Sequence, residues 1–150
     1  MKRPTRLMIV DDEKRFTEML SLTLGEMGVG TVTAFSGKEC LDKLAENDID
    51  VVILDIKMPG MDGIETLKEI KKRFPLVEVI MLTGHGTIET SVKGMKLGAF
   101  DYLLKPPEFD ELLSKVADAR ERKDAHEERI RLAENQELLR ESRKGGRKPF

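Results

Sequence analysis

The 150-residue sequence has little of several features that would point to a function class. It contains one cysteine, Cys40, which excludes an internal disulfide and a Cys-rich zinc site. No apolar run approaches the roughly 18 residues of a membrane span, and the first residues lack the apolar stretch of a secretory signal. The formal net charge is only −2, which argues against a general nucleic-acid binder. We therefore expect a cytoplasmic protein that binds neither a membrane nor a nucleic acid directly.

The charged residues are unevenly distributed along the chain. Residues 115–150 carry 11 Lys/Arg and 8 Asp/Glu, while the part before them has an acidic excess. A chain of this length fits one domain of ordinary size with about thirty residues to spare. We predict a domain over residues 1–120, a charged helical extension over 121–142 and a basic disordered tail over 143–150.

Five short apolar runs alternate with five amphipathic segments. Two of the runs are apolar throughout, which is typical of strands buried on both faces of a sheet. The runs cover residues 7–10, 30–34, 51–54, 77–82 and 99–104. Between them apolar residues recur at helical spacing, as in the first helix with Phe16, Met19, Leu20, Leu24 and Met27. This alternation predicts a doubly wound α/β sandwich, in which helices cover both faces of a parallel sheet.

Polar residues follow four of the five predicted strands. Asp11 and Asp12 follow the first strand, Asp55 the third, Thr83 the fourth and Lys105 the fifth. Because ligands bind outside the carboxyl ends of the strands in such sheets, we expect these side chains to meet at one edge. Three carboxylates placed together repel one another, and a hard cation such as Mg²⁺ would relieve that repulsion.

Most of these residues also allow a purely structural explanation. Asp12 could cap the first helix, Thr83 could be an ordinary loop residue before Gly84, and Lys105 could be a solvated strand end. Asp55 is harder to explain in this way, because it follows four apolar residues and an isolated carboxylate beside a core is costly.

Together the motifs resemble the receiver domain of bacterial two-component response regulators, over roughly residues 4–120. The resemblance rests on four motifs in order: the acidic pair after the first strand, the Asp55 segment Leu-Asp-Ile-Lys-Met-Pro-Gly-Met-Asp-Gly, Thr83-Gly84, and the Lys105 segment Phe-Asp-Tyr-Leu-Leu-Lys-Pro. It implies a flavodoxin-like (βα)5 sandwich with the strand order 2-1-3-4-5, to which the extended C-terminal helix would be added.

The resemblance also implies the roles of the acidic residues. Asp55 would be the phosphoacceptor, taking a phosphoryl group from the phosphohistidine of a sensor histidine kinase or a phosphotransfer protein. The cofactor would be Mg²⁺ or Mn²⁺, held by Asp11, Asp12, Asp55 and the backbone carbonyl of Lys57.

The remaining motif residues would bind and report the phosphoryl group. Lys105 and Thr83 would contact its oxygens, and the Lys105–Pro106 bond would be cis. Thr83 and Tyr102 would switch the surface formed by the fourth helix, fifth strand and fifth helix, although Tyr102 could also be a core tyrosine without that role. His85, like Lys57, would border the path of a hydrolytic water, but an exposed loop histidine is the simpler explanation of His85.

The C-terminal segment allows two explanations. It has no Gly or Pro between Glu108 and Gly145, and its composition favours helix. We favour a solvated helix stabilised by ion pairs such as Glu127–Arg131. The other explanation is a helix that pairs with a second copy or with a partner protein.

The predicted function is that of a signalling domain, not an enzyme, which is activated by phosphorylation and acts alone on a downstream protein. The alternative is the receiver part of a DNA-binding regulator of the enhancer-binding ATPase type, which the stretch of residues 83–86 and the helical exit resemble. A third possibility is a phosphohydrolase of the haloacid dehalogenase type. That chemistry usually needs an Asp two residues after the nucleophile, and this sequence has Lys57 there.

Overall fold

The computed structural model describes residues 3–58, 62–84 and 88–146, in which five strands alternate with five helices. The strands are β1 Leu7–Val10, β2 Thr31–Ala34, β3 Val51–Asp55, β4 Glu78–Thr83 and β5 Asp101–Leu104. The helices are α1 Lys14–Glu26, α2 Gly37–Glu46, α3 Gly63–Arg73, α4 Ile88–Lys96 and α5 Phe109–Gly146. The predicted βα repeat is confirmed.

The strands form one parallel sheet in the order β2-β1-β3-β4-β5. In β1, Leu7 pairs with Thr31 of β2 on one side and with Val51 of β3 on the other. Every residue of β1 and β3 is buried, which explains why these runs are apolar. The predicted flavodoxin-like order is confirmed, and its winding direction switches between β1 and β3. The carboxyl ends of these two strands therefore lie side by side, where ligands bind in such folds.

The helices cover both faces of the sheet, so that there are two apolar cores. Side chains alternate along β1: Met8 and Val10 pack in one core with α2 and α3, while Leu7 and Ile9 pack in the other with α1 and α5. Burying a Leu or Ile side chain contributes roughly 1.5–3 kcal/mol. These cores hold the strand ends in fixed positions.

The buried face of α1 differs in part from the predicted one. Met19 and Met27 were predicted on that face, but they are 60% and 47% exposed. Thr17 is fully buried instead, and its hydroxyl donates to the carbonyl oxygens of Asp11 at 3.2 Å and Glu13 at 3.0 Å. A threonine whose hydroxyl is satisfied by nearby backbone can lie in a core, which apolar spacing alone does not reveal.

Two buried acidic residues lie at the amino ends of the central strands. Asp50 directly precedes β3, Glu78 begins β4, and they are 0% and 1% exposed. They form ion pairs with Arg3, Lys71, Arg120, Arg122 and Lys123. We call these seven residues the amino-end cluster.

Asp50 is the centre of the amino-end cluster. It accepts two hydrogen bonds from the Arg3 guanidinium, both at 2.8 Å, and one from the backbone N–H of Arg6 at 2.8 Å. Its distance to Lys123 Nζ is 3.0 Å. Burial would raise the pKa of Asp50, but these hydrogen bonds outweigh burial and hold the pKa below its ordinary value. Since Lys123 belongs to α5, the cluster also fixes the direction in which α5 leaves the domain.

The extension of α5 is longer than predicted. The helix continues to Gly146, so residues 143–146 are helical and not part of a disordered tail, while residues 147–150 lie outside the described residues. The side chains of residues 127–144 are exposed. No helix within the described ranges combines the length and the apolar character needed to cross a membrane.

The ion pairs along the extension differ from the predicted Glu127–Arg131 pair. Glu127 contacts Lys123, one turn earlier, and Arg131 contacts Glu128. Glu127 pairs with Lys123 and not with Arg131, because Asp50 holds the Lys123 ammonium against the domain within reach of Glu127. The boundary predicted at residue 120 stays a prediction.

Candidate functional site

Three acidic residues meet at the carboxyl ends of β1 and β3. Asp11 directly follows β1, Asp12 comes next, and Asp55 is the last residue of β3. One carboxylate oxygen from each lies within 4.8 Å of the other two. Asp11 and Asp55 are 1% and 5% exposed, whereas Asp12 is exposed. The residues that the sequence predicted to converge do lie together.

Backbone hydrogen bonds orient two of these carboxylates. Asp11 Oδ1 accepts from the N–H of Glu13 at 3.0 Å, and Asp55 Oδ1 accepts from the N–H of Lys57 at 3.2 Å. Glu13 is the N-cap residue of α1. The alternative explanation of Asp12 as the helix cap is therefore wrong.

Lys105 reaches this cluster from the end of β5. Its Nζ donates to Asp11 Oδ2 at 2.7 Å and to Glu13 Oε1 at 2.8 Å, and it lies 4.2 Å from the centre of the Phe16 ring. The lysine side chain is only 13% exposed, so it is not a solvated strand end. The Lys105–Pro106 bond is cis, which is the isomer that the resemblance implied.

Charge at this edge is incompletely balanced. Burial, and next the negative charge of Asp11, raise the pKa of Asp55 to about 7, although Lys105 acts in the opposite direction. Burial would lower the pKa of Lys105, but its hydrogen bonds to Asp11 and Glu13 outweigh burial and raise the pKa. The ammonium of Lys105 is thus shared between Asp11 and Glu13, and the raised pKa of Asp55 shows that the folded domain disfavours its ionised form.

The donor atoms of the site suit a divalent cation. Carboxylate oxygens are the protein ligands that Mg²⁺ prefers, and this ion commonly takes one or two of them together with waters and phosphate oxygens. Asp11, Asp12 and Asp55 supply such oxygens on one side of the pocket. The uncompensated negative charge on Asp55 fits the same ion. A further contribution from the Lys57 carbonyl stays a prediction.

Thr83 lies at the end of β4 and is 3% exposed. Its Oγ1 has no hydrogen-bond partner among residues 3–58, 62–84 and 88–146. A buried hydroxyl without a partner costs about 1–3 kcal/mol, and a ligand that accepts its hydrogen would recover that cost. A cavity of about 410 Å³ is lined by the neighbouring Gly84 and by Asp55, Lys57 and Lys105.

Tyr102 lies at the surface side of β5, opposite the buried Leu103, and is 43% exposed. It lines an apolar groove of about 550 Å³ between α4 and β5, together with Ile88, Val92, Met95 and Leu104. Its switching role stays a prediction. His85, predicted to border the pocket, lies outside the described residues.

Two residues of the site, Glu13 and Phe16, are not identified by the sequence motifs. Glu13 directly follows Asp11 and Asp12, and this position is the feature of the sequence that could have indicated its place in the site. Phe16 fits the apolar face of α1. That pattern does not indicate that its ring also contacts the ammonium of Lys105, which follows β5.

Comparison with known proteins gives consistent matches over the described domain. A family model described as response regulator receiver domain matches residues 7–117. The DNA-binding transcriptional regulator NtrC of Klebsiella pneumoniae is 43% identical over 108 residues, which are 72% of this chain and 23% of that protein. The regulatory protein AtoC of Escherichia coli is 42% identical over 107 residues, or 71% of this chain and 23% of that protein. The chain thus spans about a quarter of the length of these two curated relatives.

Solved structures of receiver domains also match this fold. A response regulator receiver domain protein from Clostridium thermocellum gives a TM-score of 0.76 at 39% identity. The match covers 81% of this chain and 98% of that one.

Proposed function

The chain belongs to the response regulator receiver domain family, and from this membership we propose that Asp55 is the residue on which it accepts a phosphoryl group. The observation that carries the proposal is the cluster of Asp11, Asp12 and Asp55 beside the ammonium of Lys105. This cluster combines a buried nucleophile, oxygen ligands for a cation and a positive charge within one pocket. The domain would act as a signalling switch that catalyses only its own phosphorylation and dephosphorylation.

In the proposed reaction, a carboxylate oxygen of Asp55 attacks the phosphorus of a phosphohistidine on the donor protein. The new O–P bond forms as the P–N bond breaks, and the leaving imidazole keeps the electron pair and takes up a proton. Lys105 Nζ and Thr83 Oγ1 each donate a hydrogen bond to an oxygen of the transferred group. The unpartnered Thr83 hydroxyl supports this assignment.

The acidic residues would serve the same transfer. Bound Mg²⁺ neutralises charge on a transferring phosphoryl group and aligns it with the attacking oxygen. Asp11, Asp12 and Asp55, with the Lys57 carbonyl, would hold this ion. Asp11 would also keep its hydrogen bond to Lys105, so that the ammonium stays at the pocket.

Phosphorylation would be transmitted through Thr83 and Tyr102. Once Thr83 turns its hydroxyl toward the phosphoryl group, space opens behind it and Tyr102 can leave the groove between α4 and β5. A downstream protein, or a second copy of the chain, would bind to the changed surface of α4, β5 and α5. The exposed extension of α5 offers a second place for a dimer contact.

The comparisons favour one second candidate for the whole protein. The relatives NtrC and AtoC are about four times longer than the matched region, and NtrC is described as a DNA-binding transcriptional regulator. In a protein of that kind the receiver would regulate a DNA-binding output, and the α5 extension would lead away from the receiver. The length of the open reading frame and the mass of the native protein distinguish this candidate from a receiver that acts alone.

The proposed function is tested by incubating the chain with acetyl phosphate and Mg²⁺ and measuring the intact mass. We expect one added phosphoryl group, none in Asp55→Asn, and none in the wild type when EDTA removes the cation. Asp48→Asn is the matched control, since Asp48 is an exposed residue seven positions before Asp55 and should be labelled normally. Undiminished labelling of Asp55→Asn would contradict the assignment.

A further inference from the structure

The contact between Phe16 and Lys105 has no part in the proposed phosphoryl transfer to Asp55. Phe16 lies in the first turn of α1, and its ring centre is 4.2 Å from Lys105 Nζ. The ring also borders the cavity that Asp55 and Lys105 line. An aromatic face is thus presented to the charged atom that the proposed reaction needs.

Three groups hold the ammonium of Lys105, and they act differently. Asp11 and Glu13 accept hydrogen bonds and so occupy two of its three N–H groups. The Phe16 ring attracts the positive charge through its electron-rich face and does not depend on one hydrogen-bond direction. Since the Glu13 side chain is 65% exposed, water or another acceptor can replace it at little cost. A phosphoryl oxygen can therefore take the place of Glu13 while the ring keeps the ammonium in the pocket.

We propose that Phe16 is a positioning residue for Lys105, and that its ring face holds the ammonium where it meets the phosphoryl group transferred to Asp55. This inference rests on the proposed function. With acetyl phosphate as donor, the Asp55 O–P bond forms, the P–O bond to acetate breaks, and acetate leaves with the electron pair. The ring forms no bond in this step. It restricts the positions that the long lysine side chain samples before transfer.

Phe16 can be changed in ways that separate its ring from its bulk. It is only partly buried and packs on the core formed with α1 and α5, so a leucine retains most of that packing. Tyrosine keeps both the packing and the ring face. Phe35 provides a matched control at the same edge of the sheet, because its ring lies 5.5 Å from Lys14 Nζ and does not involve Lys105.

The test measures the initial rate of phosphorylation over a range of acetyl phosphate concentrations with Mg²⁺, for the wild type and for Phe16→Leu, Phe16→Tyr and Phe35→Leu. We expect Phe16→Leu to lower the maximal rate by about two- to fivefold, with little change in the half-saturating concentration. Phe16→Tyr should retain the wild-type rate, and so should Phe35→Leu. Circular dichroism melting shows whether each variant is folded, and Phe16→Met replaces Phe16→Leu if the leucine variant is not.

A second measurement needs no phosphorylation. Protons held over a ring face are shifted upfield in the NMR spectrum, so the ε-methylene protons of Lys105 should be shifted in the wild type and in Phe16→Tyr. The shift should be lost in Phe16→Leu. If the wild type shows no upfield shift of these protons, the Phe16–Lys105 contact is absent in solution and the inference is overturned.

The outcomes distinguish this inference from the function on which it rests. A wild-type chain that takes up no phosphoryl group contradicts the proposed function, whatever Phe16 does. If the wild type is phosphorylated and Phe16→Leu reacts equally fast, only the positioning role is overturned. Equal slowing of Phe16→Leu and Phe16→Tyr overturns it as well, because the effect then does not follow the ring.

Discussion

Both ends of the sheet hold buried acidic residues, but only at the amino end do nearby cations balance their negative charge. At the amino end, Asp50 and Glu78 form ion pairs with five cations, and the pKa of Asp50 lies below its ordinary value. At the carboxyl end, three acidic residues lie together, the ion pair that the described residues give them is that of Asp11 with Lys105, and the pKa of Asp55 is raised to about 7. One end is a structural ion-pair cluster, and the other keeps an excess of negative charge that suits a cation.

This difference shows that burial alone does not identify a functional carboxylate. Asp50 is more deeply buried than Asp55, at 0% against 5% exposure. What distinguishes Asp55 is its surroundings, because the nearby charge of Asp11 adds to burial in raising its pKa and Lys105 only partly offsets the two effects. Ion pairs balance the two buried carboxylates at the amino end, whereas the carboxyl end keeps an excess of negative charge, which is typical of functional sites.

The largest effect on stability is expected at the amino end. Asp50→Asn should lower the free energy of unfolding by about 3–5 kcal/mol, because Arg3 and Lys123 then keep their charges without a buried carboxylate. Urea denaturation at neutral pH measures the loss. Asp50→Asn protein that remains folded should still be phosphorylated, because Asp50 lies at the other end of the sheet from Asp55. A loss below about 1 kcal/mol would mean that the amino-end cluster behaves as a solvated surface network.

The pH dependence of this loss follows from the direction of the pKa shift. Because the pKa of Asp50 is lowered by folding, its stabilisation is complete above the ordinary carboxyl pKa of about 3.9 and is lost as the pH falls below it. The gap in stability between the wild type and Asp50→Asn should therefore narrow between about pH 4 and pH 2. A gap that stays constant over this range would contradict the charge-based explanation.

The next largest effect is expected behind the carboxyl-end site, at Gly63. A Cβ at this position would lie 2.4 Å from the carbonyl oxygen of Asp55 and 2.4 Å from Ile56 Cα. Gly63→Ala must therefore displace the start of α3 or the backbone of Asp55, and we expect a loss of about 1–3 kcal/mol together with slower phosphorylation. Thermal melting and the acetyl phosphate assay measure the two effects.

The matched control for this variant is Gly25→Ala in α1. A Cβ on Gly25 would meet no atom within 4 Å, and alanine favours helix, so the change should be neutral or slightly stabilising. Equal effects of the two substitutions would show that close backbone packing does not hold Asp55 in place.

The smallest effect should have the opposite sign. Without a divalent cation at about pH 8, Asp55→Asn should raise the free energy of unfolding by about 1 kcal/mol, because it removes a charge that the folded state disfavours. The pKa of Asp55 is raised by folding, so the wild type loses stability as the pH rises from about 4 through about 7, and the gain of the variant should grow over that range.

Adding Mg²⁺ should make the wild type more stable than Asp55→Asn. The ion binds the folded wild type and stabilises it by mass action, whereas the variant offers one carboxylate fewer. Urea midpoints in EDTA and in Mg²⁺ measure both effects. A destabilised Asp55→Asn in EDTA would show that the charge of Asp55 is already balanced by its surroundings.

The fold could be predicted almost completely from the sequence, because β1 and β3 are buried on both faces and so are apolar throughout. The exceptions have physical reasons. Thr17 lies in the core because backbone carbonyls satisfy its hydroxyl. Residues 143–146 are helical because a helix that is already formed propagates easily, even through weak helix formers.

The site could be predicted in its principal residues but not in its supporting contacts. Asp55 and Lys105 stand at strand ends, and the topology of a parallel sheet brings such positions together. The contacts of Glu13 and Phe16 with Lys105 depend on side-chain directions across the pocket, which no spacing along the chain reveals. Asp50 stands directly before an apolar strand, as Asp55 stands at the end of one, but only the surrounding cations show that its role differs.

The assignment of Asp55 as the phosphoacceptor is tested most directly by locating the phosphoryl group on the chain. Asp50 and Asp55 lie on one tryptic peptide, residues 44–57, so a single spectrum compares the two ends of the sheet. After reaction with acetyl phosphate and Mg²⁺, borohydride reduction converts an aspartyl phosphate to homoserine, and fragmentation of the peptide shows its position. We expect homoserine at position 55 alone. Homoserine at Asp50, or on a peptide that carries Asp11 and Asp12, would contradict the assignment.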